Sequence, residues 1–205
     1  QDNTVDFSDS ELLREAWLTQ RSEKIQASSK PSSIGATRLA QLAKEEAEDG
    51  DVPYRKGRGG TNIGRAVHSA LQSVDLSSGD GIDEISQAQA AAEGLPDRWK
   101  EVADLAKTAM ASDVVKQAVG TGRYHREVYV AAPQGPVLIE GFIDLVFETE
   151  EGLVVVDYKT DGIETPEEIA RSMGRYRLQG GTYALALEHA TDRSVAKVVF
   201  LFLHT

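Results

Sequence analysis

Gly141-Phe142-Ile143-Asp144-Leu145-Val146-Phe147 and Leu153-Val154-Val155-Val156-Asp157-Tyr158-Lys159-Thr160 are two strongly apolar runs separated by the polar cluster Glu148-Thr149-Glu150-Glu151-Gly152. Both runs are rich in β-branched and aromatic residues, the pattern of a β-hairpin. Each run also contains one carboxylate, Asp144 or Asp157. An ionised Asp among Phe, Ile, Leu and Val is costly unless it is paired, hydrogen-bonded or holding a metal. The hairpin register decides how the two charges meet. A two-residue Glu150-Glu151 loop sets Asp144 opposite Asp157, and a loop displaced toward Gly152 sets it opposite Lys159. In both cases Asp144, Asp157 and Lys159 share a face, because side chains alternate with a period of two. A three-residue loop without a bulge would put Asp144 on the opposite face from Asp157. Two adjacent carboxylates repel unless one is protonated or a cation lies between them, and oxygen-only ligands favour Mg²⁺ or Mn²⁺.

Asp157-Tyr158-Lys159 is an Asp-x-Lys triplet at a strand end. Taken alone it reads as a solvated salt bridge. Coupled to Asp144 it suits phosphodiester hydrolysis, in which a metal polarises the phosphate and activates water while an ammonium stabilises developing negative charge. Arg126 to Ala132 alternates as a strand and Gly135-Pro136 turns into the hairpin. Glu127, on that strand, reads either as a further carboxylate of the site or as a surface residue. Thr165-Pro166-Glu167-Glu168 starts a helix, which should run to about His189 with a break near Gly174 or Gly180-Gly181. Val195 to Leu203 is a nearly continuous apolar strand, expected in the sheet centre.

The first half reads as helical. Helices are expected from Asp9 to about Ile25, from Ala36 to about Asp49, from Thr61 to about Val74, and between Ser77 and Gly120 with a break at Gly94-Leu95-Pro96. Gln26 to Ser33 reads as a linker and Lys56 to Gly60 as a Gly-rich basic loop. His68 sits on a partly apolar helix face, where a boundary residue and a metal ligand are both open readings. Tyr176, Gln179 and Tyr183 fall on one side of the helix after the hairpin, able either to pack on the sheet or to reach a phosphate or a base. Arg175 and Arg177 flank them as candidate phosphate contacts.

The 205 residues suffice for one well-cored domain with a helical extension. A net charge of −11 argues, taken alone, against a nucleic-acid partner. The basic island Arg55-Lys56-Gly57-Arg58 with Arg65 is the exception, a candidate phosphate grip. The chain has no cysteine, which excludes disulfides, thiolate zinc sites and cysteine-ligated iron–sulfur clusters and is compatible with a reducing cytoplasm. No apolar run approaches a membrane span, so no membrane partner is expected. Gln1-Asp2-Asn3-Thr4 is not a signal peptide, and a start without Met suggests a processed chain or a fragment. No Gly-x-x-x-x-Gly-Lys-Ser/Thr loop is present, so no ATP site is expected within the chain.

Gly64-x-x-x-His68, Gly141-x-x-Asp144, Asp157-Tyr158-Lys159-Thr160 and Gln179-x-x-x-Tyr183, in this order, resemble the RecB-type nuclease domain of the PD-(D/E)xK superfamily. The resemblance covers roughly residues 33–205, beginning with Ser33-Ile34-Gly35-Ala36-Thr37-Arg38-Leu39. It implies an α/β, restriction-endonuclease-like core with a mixed central sheet between helices, preceded by a largely helical half. It further implies His68, Asp144, Asp157 and the backbone carbonyl of Tyr158 as ligands of Mg²⁺ or Mn²⁺. Lys159 would be catalytic with the two aspartates, and Gln179 and Tyr183 would support DNA binding. Residues 1–32 would then be a tether from UvrD-like helicase domains, and the domain a cluster-free exonuclease of double-strand-break repair and recombination. The competing expectation is a catalytically inactive nuclease-fold module that binds DNA or a partner protein; the intact Asp144, Asp157 and Lys159 argue against it.

Overall fold

The structure, a computed structural model, describes residues 15, 17–21, 23, 32–35, 61–134, 137–160 and 165–204. The expected helix from Ala36 to Asp49, the basic loop with Arg55, Lys56 and Arg58, and the Gly135-Pro136 turn lie outside the described residues. The chain divides into two compact units, Gln1–Ser32 and Ser33–Thr205. In the first unit the described residues 15, 17–21 and 23 are helical and exposed, with the Arg21 guanidinium 5.4 Å from the Trp17 ring centroid.

The second unit is built on a five-stranded sheet of β1 (Ser32–Gly35), β2 (Tyr124–Gln134), β3 (Val137–Thr149), β4 (Gly152–Lys159) and β5 (Val195–Phe202). The order is β1-β3-β4-β5, and β2 also pairs with β3. β2, β3 and β4 are antiparallel neighbours, whereas β5 runs parallel to β4, so the sheet is mixed. Among the described residues of the second unit, four α-helices precede β2: α1 (Asn62–Ser73), α2 (Ile82–Ala92), α3 (Trp99–Ala111) and α4 (Asp113–Thr121). A 26-residue helix, α5 (Pro166–Thr191), crosses from β4 to β5, the connection that parallel strands require.

Two apolar layers cover the sheet. Val67, Ala70 and Leu71 of α1 and residues of α2 to α4 pack on Leu145, Phe147, Val154, Val156 and Tyr158. On the other face Tyr183, Ala186 and Leu187 of α5 pack on Val130, Ala132, Ile139, Ile143, Val146 and Val155. The alternation of β2 and β3 breaks at one level. Tyr124 and Leu145 face the α1 layer, while Val128 and Ile143, of the same parity, face α5. Between them lie Glu127, with a positive φ of 51°, and Asp144. Left-handed backbone is uncommon for a residue with a Cβ and marks a local constraint.

Three expectations are corrected. The helical block after Ser77 has a further break at Ser112, whose side chain accepts the Val115 amide and caps α4; the Ser-Asp start was an available cap signal. α5 is unbroken through Gly174 and Gly180-Gly181. Gly180 serves a close approach, since a Cβ there would lie 3.1 Å from Val198 and 3.2 Å from Phe200. β5 is an edge strand among the described residues rather than a central one. It is apolar on both sides because Val199 and Leu201 join the α1 layer while Val198 joins the α5 layer.

Candidate active site

The hairpin loop is the two-residue Glu150-Glu151, with Thr149 opposite Gly152 and Leu145 opposite Val156. Continuing that register by one step brings Asp144 to the level of Asp157, where the described ladder ends. There the Asp144 carboxylate substitutes for a backbone acceptor: its Oδ2 accepts the Tyr158 amide at 2.6 Å. Its Oδ1 lies 2.8 Å from His68 Nδ1. Two fixed partners hold an 8% exposed carboxylate that would otherwise be costly to bury.

His68 reaches Asp144 because α1 lies close to the end of β4. A Cβ on Gly64 would sit 2.6 Å from Thr160 Oγ1, so Gly64 permits the approach that delivers His68 one turn later. Thr61 caps the helix by accepting the Gly64 amide, and Arg126 of β2 donates to the carbonyls of Leu71 and Val74 at its other end. Burial alone would pull the imidazole below its ordinary pKa of 6.5. The Asp144 charge and hydrogen bond, with smaller help from Asp157 and Glu127, overcome this and raise it to about 9.

Asp157 and Lys159 project together from β4, as the period of two requires. Lys159 Nζ lies 2.6 Å from Asp157 Oδ2 and donates to Gln179 Oε1 at 3.0 Å. Gln179 Nε2 in turn donates to Asp157 Oδ1 at 3.0 Å and to the Tyr183 hydroxyl at 3.1 Å. The rings of Tyr176 and Phe200 lie 5.6 and 5.5 Å from Nζ, within cation–π range. Desolvation, then the neighbouring Asp144 charge, raises the Asp157 carboxyl to about 6 against the pull of Lys159. Burial likewise pushes the Tyr158 hydroxyl up.

The structure therefore brings together His68, Asp144, Asp157, Tyr158 and Lys159. Gln179, Tyr183 and Tyr176 are buried beneath the site, where they position Lys159 and Asp157. Arg177 is exposed on α5, and the Arg175 side chain is outside the described residues. Glu127 joins the cluster: ligand atoms of His68, Glu127 and Asp144 lie within 4.8 Å of one another. The Arg126–Leu145 and Val128–Ile143 pairs flank the level of Glu127 and Asp144, so pairing the strand before the hairpin with β3 brings the two carboxylates together. The donors suit a hard divalent cation. They comprise an imidazole nitrogen and carboxylate oxygens, and Asp157 Oδ2 is buried and, beyond the Lys159 ion pair, accepts no hydrogen bond.

A sequence profile of the PD-(D/E)XK nuclease superfamily matches residues 15–205. An ATP-dependent helicase/nuclease protein of Thermoanaerobacter sp. is 28% identical over 213 residues, covering 85% of this chain and 17% of the relative. Its counterpart from Desulforudis audaxviator is 32% identical over 198 residues, covering 80% and 16%. A Clostridium botulinum protein of the same name is 45% identical over 67 residues, covering 32% and 5%. The chain thus spans no more than 17% of the length of these curated relatives. With the profile matching nearly the whole chain and a mixed sheet between helices that gathers two aspartates and a lysine at one strand end, the chain belongs to the PD-(D/E)XK nuclease superfamily, as a nuclease domain of the RecB type.

Proposed function

We propose that this domain is a divalent-metal-dependent deoxyribonuclease that hydrolyses phosphodiester bonds of DNA. The observation that carries the reading is the chain of contacts Gln179–Asp157–Lys159 beside His68–Asp144, which fixes carboxylates and an ammonium at one strand end. His68, Asp144, Asp157 and the Tyr158 carbonyl would hold Mg²⁺ or Mn²⁺, with Glu127 as a further carboxylate. When bound, the cation would supply a Lewis acid for the phosphate and a water of lowered pKa. Lys159 presents its ammonium where the phosphate gains negative charge, and Gln179 keeps that ammonium from swinging away. Asp144 is held by the Tyr158 amide, so its oxygens are oriented before substrate arrives.

The relatives' names extend the reading to a larger assembly. We infer that a UvrD-like helicase motor supplies the DNA end to this domain in the cytoplasm, during double-strand-break repair and recombination. Exposed Arg177, with Arg175 and the basic residues Arg55, Lys56 and Arg58, would contact the incoming backbone, while Gln179, Tyr183 and Tyr176 support DNA binding through Lys159. Incubating the chain with end-labelled single- and double-stranded DNA in Mg²⁺, Mn²⁺ or EDTA tests this. Metal-dependent shortening of the label is expected; intact DNA in all metals, with DNA still bound, would instead identify a binding module.

A further inference from the structure

Tyr129 and Phe142 are the prominent exposed aromatic residues of the sheet, 52% and 56% accessible. They are direct cross-strand partners on β2 and β3, and their rings lie 5.3 Å apart at a tilt of 56°. Each lies two residues from a member of the His68–Glu127–Asp144 cluster, Tyr129 from Glu127 and Phe142 from Asp144. Two residues along a strand span about 6.6 Å, comparable to the spacing of neighbouring nucleotides in an extended single strand. Val128, Val130 and Ile143 face α5, so by alternation Tyr129 and Phe142 project to the opposite side, where His68 of α1 also approaches. The Tyr129 hydroxyl donates to Glu140 at 2.7 Å, which fixes the ring and sets an acidic group beside it.

We propose that Tyr129 and Phe142 form a stacking platform for the bases of single-stranded DNA next to the scissile phosphate. Exposed aromatic pairs cost solvation, and bases of any sequence stack on such surfaces. The carboxylate of Glu140 repels phosphates, so the bases rather than the backbone lie over the rings. The platform continues the phosphodiester site along the same two strands, and it rests on the nuclease reading above. It would hold the strand by base stacking where the chain's net charge of −11 gives little general attraction for a polyanion.

The test uses fluorescence anisotropy of the 205-residue chain with labelled oligo-dT and an abasic oligomer of equal length, in EDTA. The chain should bind oligo-dT more tightly than the abasic strand. Tyr129→Ala with Phe142→Ala should weaken oligo-dT binding about tenfold and leave abasic binding unchanged, while Phe142→Trp restores the preference. In Mg²⁺ the same double variant should raise KM for oligo-dT with kcat retained. Equal binding of both oligomers by the unaltered chain, or an undiminished preference in a double variant with native circular dichroism, would overturn the platform. If the double variant does not fold, Phe142→Ser and Tyr129→Ser singly carry the same comparison. Absence of any metal-dependent cleavage by the unaltered chain would instead reject the nuclease reading.

Discussion

Lys159 is held by an anion, an amide and two aromatic faces, whereas burial and neighbouring charges shift the protonation of His68 and Asp157. Both have raised pKa values, about 9 and about 6, so in the metal-free chain each binds its proton more tightly folded than unfolded. Their stabilising contributions are therefore full at low pH and lost as pH rises, Asp157's between 3.8 and about 6 and His68's between 6.5 and about 9. Metal uptake needs the neutral imidazole and the ionised carboxylate, so affinity runs the other way. The melting temperature of the metal-free chain should fall from pH 6 to 9, and the increase produced by a fixed Mn²⁺ concentration should grow over the same range. A Mn²⁺ shift independent of pH would contradict the ligand assignment.

Helix α1 places His68 through a glycine. Gly64→Ala should raise helix propensity by about 1 kcal/mol, yet it forces Thr160 or the first turn to move, because its Cβ would lie 2.6 Å from Thr160 Oγ1. A displacement near 1 Å at a catalytic centre can cost on the order of a hundredfold in rate. The expected outcome is a melting temperature within a few degrees of the parent and a cleavage rate down at least about tenfold; unchanged turnover would show that α1 does not position His68.

The β3–β4 hairpin was legible because the polar Glu148-to-Gly152 cluster separates two apolar runs, and parity grouped Asp144, Asp157 and Lys159 in either of the two open registers; the choice between those registers came from the strand pairing itself. Glu127 was legible only through the second hairpin, whose effect depended on pairing β2 with β3 at the right step. β5 misled because an edge strand covered on both faces has the apolar pattern of a central one. The glycines of α5 misled because Gly180 answers to a neighbouring strand, a tertiary contact that local propensity does not encode.

Across the second unit as a whole, the sheet separates two apolar layers and the candidate site lies where they change over. α1 brings His68 to one face of the sheet, α5 brings Gln179 to the other, and β3 and β4 carry Asp144, Asp157 and Lys159 between them. Neither layer alone contains the whole candidate site, so it is assembled by the packing of both helices on one sheet. Among the described residues no helix is long and apolar enough to cross a membrane.

The most direct measurement is single-turnover cleavage of end-labelled single-stranded DNA in Mg²⁺ by the unaltered chain and by Lys159→Ala, alongside calorimetric Mn²⁺ binding. Lys159→Ala should cleave at least about a hundredfold more slowly while Mn²⁺ binds as tightly as before or more so, since Asp157 loses its competing cation. Cleavage at the parent rate by Lys159→Ala would contradict the account.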